Sequence, residues 1–236
     1  MLIAQKEQFL LHRYWNKFMR IGITQRIIKE SNHGELRDEL SHDWVDYLTE
    51  NFPSALLIPI PNFTILDHKW FENLNLDLLM LSNGNDLGEF TRRDKLERHA
   101  INFAVNNSIP VIGFCRGFQI INDYFGGRLT LNIENSIEQK HVSIEHEIEI
   151  MDEKYIEILQ KKRFMVNSYH NHGVLTDGLS VSLKAFAISE GSVVEGFFHE
   201  NLPILGIQWH PERPNNCQLE NKILIESMID KIKVNK

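Results

Sequence analysis

The chain has 236 residues, of which 42% are hydrophobic and 24% are charged, and these proportions are typical of a globular protein. At roughly 150 residues per domain, we expect one large domain. The formal charge of -7 argues against a nucleic-acid partner, and no apolar run approaches the ~20 residues that span a bilayer. Two cysteines are too few for a disulfide scaffold. We therefore expect a cytoplasmic protein without a nucleic-acid or membrane partner.

The first 18 residues carry weak helical periodicity and no signal-peptide pattern. Met19 directly precedes the first predicted strand. We expect the domain to occupy residues 19–236, with residues 1–18 as an appended extension or the translation of an upstream start codon.

Short apolar runs alternate with stretches of helical periodicity in the first half of the chain. Thr91 and Asp94 have the spacing of a capping box at the start of one predicted helix. Such alternation is typical of a parallel α/β sheet. Strands are predicted at 20–24, 55–59, 77–81 and 110–114, and helices at 42–52, from 91 to about 105, and at 116–125.

The pattern changes after Leu129. Residues 141–150 and 181–187 alternate apolar and polar side chains, which predicts antiparallel strands with one wet face. A last strand is predicted at 204–209 and a C-terminal helix at 220–233. We expect a single α/β domain whose sheet is mostly parallel with antiparallel additions, with helices on both faces.

The strongest chemical motif is Gly113-Phe114-Cys115-Arg116-Gly117-Phe118-Gln119, at a predicted strand end and helix start. A nucleophile on such a turn needs small residues two positions before and after it, as in the G-x-S-x-G elbow. The helix N-terminus favours a thiolate, and the Arg116 amide can donate to an oxyanion. The motif predicts Cys115 as a nucleophile.

A second motif, Trp209-His210-Pro211-Glu212, follows the last predicted strand. Because parallel strands end at one sheet edge, His210 can reach Cys115, and Glu212 can orient its ring. Ser82-Asn83-Gly84 also follows a strand and can present a second amide to an oxyanion, although Asn-Gly is a common turn.

Other patterns favour structural roles. Cys217 lacks a comparable context, and Gly126-Gly127 is better interpreted as a helix stop than as a phosphate loop. The pairs His141/His146 and His170/His172 lack the helical spacing of a metal motif. We therefore predict no metal site.

On these motifs the chain resembles the class I glutamine amidotransferase-like family, and within it the γ-glutamyl hydrolase branch. The resemblance extends from about Arg20 to Ile229 and includes Val-Asn-Ser-Tyr-His from Val166 and Ser-Glu-Gly-x-x-Val-Glu-Gly over 189–196. It implies a flavodoxin-like sheet, a small γ-glutamyl substrate, no cofactor and a thioester intermediate. Overall likeness further points to capsule phosphoramidate synthesis, in which the leaving group would be a nucleotide phosphoramidate.

The resemblance also implies roles for individual residues. Cys115, His210 and Glu212 would form the triad, and the Gly84 and Arg116 amides the oxyanion hole. The substrate would be bordered by Gln119, Asn83, Ser168, Tyr169, His170 and His172. Cations for a phosphate-bearing leaving group would come from Arg26, Arg92, Arg93, Arg116 and His172.

Two departures from the family pattern leave questions open. Ser82-Asn83-Gly84 replaces the usual Pro-Gly-Gly, so the choice of oxyanion amide stays open, and Asn171-His172 follows His170 where the family has Gln at the second position. One alternative function is a glutaminase subunit that supplies ammonia to a separate synthase. Another is an inactive binding protein, which the intact triad disfavours.

Overall fold

The computed structural model describes residues 19–64, 67–137 and 140–234, and the predicted extension at 1–18 lies outside this range. Ten strands form one sheet in the order β4-β1-β5-β6-β12-β11-β10-β7-β8, with β9 beside β11, and a separate hairpin is formed by β2 and β3. No helix within the described ranges has the length and apolar character to span a membrane. The strands are β1 (Met19–Thr24), β2 (Arg26–Lys29), β3 (Leu36–Glu39), β4 (Ala55–Ile60), β5 (Leu78–Leu81), β6 (Val111–Phe114), β7 (Val142–Ile150), β8 (Arg163–Tyr169), β9 (Val174–Leu175), β10 (Lys184–Ser189), β11 (Val193–Phe198) and β12 (Ile204–Ile207).

The helices cover both faces of this sheet. Apolar residues of α1, α6 and α7 share one core with strand residues such as Ile112 and Phe114. Those of α2, α3 and α4 share a second core with Leu79, Leu81 and Val111. This division follows from the alternation of side chains along a strand. The helices are α1 (His42–Asn51), α2 (His68–Leu74), α3 (Thr91–Asn106), α4 (Arg116–Tyr124), α5 (Ile133–Ile137), α6 (Glu153–Leu159) and α7 (Gln218–Val234).

The parallel half of the sheet brings the sequence motifs together. β5, β6 and β12 are adjacent and parallel, with Gly113 paired to Leu81 on one side and to Gly206 on the other. Their carboxyl ends therefore lie at one edge, where ligands of open α/β sheets bind. The predicted fold class is confirmed: the sheet is parallel from β4 to β12 and antiparallel beyond.

Several predicted elements differ in detail. The capping box at Thr91 and Asp94 is wrong: the N-cap is Phe90, without a side-chain cap, and Asp94 accepts from the Gly88 amide (3.0 Å) instead. The last strand ends at Ile207 rather than residue 209. The strand predicted at 181–187 lies at Lys184–Ser189 because Val181 is in an exposed turn. The hairpin and β8 were not predicted, since their short runs lack strong alternation.

Candidate active site

Cys115 is the single residue between the end of β6 and the start of α4. Its backbone has φ 50° and ψ −101°, a conformation that residues with side chains rarely adopt. Hydrogen bonds hold it there, from the Cys115 amide to the Ile207 carbonyl (2.9 Å) and from the Gln119 amide to the Cys115 carbonyl (3.1 Å). The thiol is partly exposed. The strained turn therefore presents it at the N-terminus of α4.

The glycines on either side of Cys115 are required by close backbone packing. A Cβ at Gly113 would lie 2.3 Å from the Gly117 carbonyl oxygen, and a Cβ at Gly117 would lie 2.1 Å from that of Leu81. These atoms belong to the backbone of the sheet and helix, so they cannot move aside for a side chain. The Gly-x-Cys-x-Gly spacing is thus a condition for α4 to pack against β5 and β6.

His210 and Glu212 form a buried pair just after β12. His210 Nδ1 donates to Glu212 Oε1 (2.8 Å), since a carboxylate only accepts. Burial acts to lower the pKa of His210, but Cys115 and Glu212 outweigh it and raise that pKa to about 9. The imidazole therefore interacts with the thiol and the carboxylate, an arrangement that can move a proton between sulfur and ring.

Asn167, in the Val-Asn-Ser-Tyr-His motif, fixes the backbone of His210. Its Oδ1 accepts from the His210 amide (2.9 Å), and its Nδ2 donates to the His210 carbonyl (2.9 Å). Tyr169 lies beside the same histidine, with ring centroids 5.4 Å apart. Asn167 was not among the predicted site residues, although the motif that contains it was identified.

Asn83 contacts the His210–Glu212 pair. Its Nδ2 donates to Glu212 Oε1 (2.8 Å) and lies 2.9 Å from His210 Nδ1. Its Oδ1 accepts from Trp44 Nε1 (3.0 Å). The side chain predicted to border the substrate therefore supports the carboxylate, and Trp44, which the sequence did not single out, anchors it.

The Ser82–Gly84 turn can supply the predicted oxyanion amide. Gly84 has φ 80°, and the amides of Gly84 and Arg116 donate no hydrogen bond to other described residues. Arg93 donates to the carbonyls of Ser82 (2.9 Å), Asn83 (3.0 Å) and Gly84. These bonds turn the carbonyls toward Arg93 and leave the amides to face elsewhere.

A buried ion network supports that turn. Glu97 binds Arg93 (3.0 Å) and Arg116, and it accepts from the Thr24 hydroxyl (2.8 Å), which itself accepts from the Ser82 amide (3.0 Å). Neither Glu97 nor Thr24 was predicted as a site residue, because a buried carboxylate inside a helix leaves no local pattern.

The predicted phosphate-binding cations lie in different environments. Arg93 and the Arg116 side chain are buried and bound to protein groups, so this placement does not support a phosphate contact by either. Arg26 is paired with Glu39. Arg92 is exposed and donates to the Thr64 hydroxyl (2.8 Å).

The remaining predicted substrate residues surround Gln119. Gln119 Nε2 donates to the His172 carbonyl (2.9 Å), and His172 Nε2 lies 3.5 Å from Asp86 Oδ2. Ser168 is buried and donates to the His141 carbonyl. His170 is buried in a second polar group, the histidine cluster, which consists of His141, His146, His170 and Glu195.

The histidine cluster is electrostatically neutralised. Burial and the neighbouring His146 lower the pKa of His141 to about 4, and burial together with the other histidines lowers that of His170. Burial raises the pKa of Glu195. The imidazoles of His141 and His170 therefore carry no proton charge at neutral pH and keep nitrogen lone pairs available.

Comparisons with known proteins agree with this arrangement. Residues 77–212 match the peptidase C26 family. The γ-glutamyl-CDP-amidate hydrolase of Campylobacter jejuni is 30% identical over 84% of this chain and 92% of its own length. The glutamine-hydrolysing subunit of GMP synthase from Pyrococcus furiosus is 31% identical over 65% of this chain and 74% of its own.

Solved structures support the fold. A GMP synthase subunit-like protein of Thermoplasma acidophilum superimposes with a TM-score of 0.69 at 20% identity, covering 93% of this chain and 96% of its own. The family match includes Cys115, His210 and Glu212. The chain therefore belongs to the peptidase C26 family of class I glutamine amidotransferase-like proteins.

Proposed function

We propose that this protein hydrolyses γ-glutamyl amides through a thioester on Cys115. The observation that carries the proposal is the elbow thiol of Cys115 interacting with the His210–Glu212 pair. The thiolate attacks the γ-carbonyl carbon, and the amides of Gly84 and Arg116 donate to the resulting oxyanion. The His210 imidazolium then protonates the leaving nitrogen as the C–N bond breaks.

The second half of the cycle uses the same groups. His210, now neutral, takes a proton from water, and the hydroxide attacks the thioester carbon. The C–S bond breaks, glutamate leaves with its new γ-carboxyl group, and the thiolate is restored. Glu212 holds the ring in one orientation throughout, while Asn83 supports Glu212.

The nucleophile is tested by comparing the two cysteines. Cys115→Ala should reduce turnover of a γ-glutamyl anilide by at least ~10³-fold, whereas Cys217→Ala should leave it close to the wild type. Iodoacetamide should label Cys115 first, because Cys217 is 1% exposed and burial raises its pKa to about 12. Preferred labelling of Cys217, or a Cys115→Ala variant as active as the wild type, would reject the assignment.

We further propose γ-glutamyl-CDP-amidate as the substrate. The similarity to the hydrolase from Campylobacter jejuni extends over 84% of the chain, and Arg92 and His172 are cationic or protonatable groups near the predicted leaving-group side. The phosphates of that leaving group carry negative charge at neutral pH. The purified protein should consume this substrate with a higher kcat/KM than glutamine or a γ-glutamyl anilide.

The phosphate contact has its own test. Arg92→Gln and His172→Asn should each raise KM for γ-glutamyl-CDP-amidate, because they remove a cation or a donor, and should leave anilide hydrolysis unchanged. The exposed Arg37, paired with Glu35 in the hairpin, offers Arg37→Gln as the control. Equal effects on both substrates, or no effect on either, would remove the phosphate contact and leave the γ-glutamyl hydrolase proposal.

A second candidate function is a glutaminase subunit that supplies ammonia to a separate synthase. The similarity to the glutamine-hydrolysing GMP synthase protein of Pyrococcus furiosus favours it. Such a glutaminase should be almost idle toward glutamine and toward substituted γ-glutamyl amides when isolated. Rapid, selective hydrolysis of a substituted amide by the isolated chain would rule it out.

A further inference from the structure

The histidine cluster is built from three segments that are distant in sequence. His141 directly precedes β7, His146 lies within β7, His170 directly follows β8, and Glu195 lies in β11. Glu195 Oε1 is 3.5 Å from His146 Nε2 and 3.8 Å from both His141 Nδ1 and His170 Nε2. All four donor atoms lie within 4.8 Å of one another. The topology thus brings three imidazole nitrogens around one carboxylate.

These side chains face one another without satisfying one another. His141 Nδ1, His146 Nε2, His170 Nε2 and Glu195 Oε2 are buried atoms with no hydrogen-bond partner in the described structure. Buried polar atoms without partners are costly and uncommon in native proteins. Since four of them converge on one point, a single shared ligand would satisfy the whole group.

We propose that the histidine cluster binds one divalent ion of the zinc class. Bonds of about 2.0–2.1 Å in a tetrahedron place the ligand atoms about 3.3–3.4 Å apart, close to the 3.5–3.8 Å found around Glu195 Oε1. Three imidazoles and one carboxylate suit zinc and its neighbours in the transition series. Magnesium and calcium favour sites made of oxygen atoms alone.

Hydrogen bonds outside the donor set already orient two of the ligands. His170 Nδ1 donates to the His172 carbonyl (3.0 Å), which leaves Nε2 for the ion. The Ser189 hydroxyl donates to Glu195 Oε1 (3.0 Å). Outer-shell contacts of this kind fix the histidine tautomer and the carboxylate orientation in metal sites.

A route for the ion is also present. A cavity of about 590 Å³ borders the histidine cluster, with His141, His146 and Ser189 in its lining. Glu147, Glu149 and Glu190 also line it, and their carboxylates give its wall an affinity for cations.

The geometry assigns the ion a structural role. Four protein ligands fill a tetrahedral zinc site and leave no open position for substrate. The ion would hold the adjoining ends of β7 and β8 against β11. His170 and Gln119 both donate to the His172 carbonyl, so this link would carry the restraint to the helix that begins beside Cys115.

Metal content tests the proposal without any activity measurement. Untagged wild-type protein should contain, or take up after chelator treatment, one zinc ion per chain by inductively coupled plasma mass spectrometry. His146→Ala and Glu195→Gln should each weaken zinc binding by at least ~100-fold in a competition titration, since the loss of outer-shell partners alone costs 10–100-fold. His33→Ala, on the exposed hairpin turn, should bind like the wild type.

A spectroscopic measurement covers variants that fail to fold. Cobalt added to metal-free wild-type protein should give the intense visible absorption of a four-coordinate ion, and zinc should displace it. No ion bound at either stage, a weak six-coordinate spectrum, or full zinc binding by folded His146→Ala would overturn the proposal. None of these outcomes depends on γ-glutamyl hydrolysis, so the proposed function stands or fails separately.

Discussion

His210 is where burial and charge compete most directly. Its pKa of about 9 lies above the ordinary value of about 6.5, so the imidazolium persists through neutral pH and is lost as pH rises through about 9. The imidazolium is the form that protonates the leaving group. We therefore expect kcat/KM for a γ-glutamyl anilide to fall above about pH 9, measured from neutral to alkaline pH. A profile that stays level well above that pH would contradict this role.

Glu212 acts on the reaction only through His210. Glu212→Gln keeps the thiol and the ring but weakens the hydrogen bond that orients the ring, so kcat should fall less than in His210→Ala. Members of a catalytic unit are strongly non-additive. The double variant should therefore be much less impaired than the product of the two single losses. Multiplicative losses in steady-state kinetics would show that Glu212 acts separately, for example on the substrate.

At the scale of elements, α3 and the turn after β5 depend on the carboxylate of Glu97. Glu97→Gln removes the charge that faces two buried guanidinium groups, Arg93 and Arg116. Breaking one partner of a buried ion pair costs roughly 3–5 kcal/mol, so the melting temperature should fall clearly in calorimetry. Activity should fall as well, because Arg93 holds the carbonyls of the oxyanion turn.

The control is Glu50→Gln in α1, where the side chain is exposed and the charge is solvated. This variant should melt with the wild type, since exposed substitutions usually change stability by less than about 0.5 kcal/mol. If Glu97→Gln also melted with the wild type, the network would contribute nothing net to the fold.

At the scale of the whole molecule, stability should be greatest where the sheet has helices on both faces. Every residue of β5, β6 and β12 is buried, whereas Leu36, Arg37 and Asp38 of β3 are exposed in the separate hairpin. Amides in the central strands should exchange with deuterium roughly 100-fold or more slowly than those of the hairpin, as measured by mass spectrometry of fragments. Equal protection would indicate that the hairpin unfolds only with the whole domain.

The sequence was sufficient for the parts of the molecule governed by local chemistry. The elbow is legible because the tight turn at Cys115 excludes side chains at Gly113 and Gly117, and backbone atoms at 2.1–2.3 Å enforce that exclusion. The central strands were found because burial on both faces makes them short continuous apolar runs. Strand–helix alternation then indicated an α/β sheet with its motifs at one edge, which the structure confirms.

Tertiary structure decided what distant segments do to one another. The sequence indicated that Asn83 and His170 border the substrate, yet Asn83 supports Glu212 and His170 is buried in the histidine cluster. Arg93 read locally as a free cation at a helix start, but it is buried against the turn that precedes it. The cluster itself has no local signature, since β11, β7 and β8 meet only through antiparallel pairing. Sequence spacing encodes contacts along one helix or strand, whereas contacts across a sheet depend on register, which only folding sets.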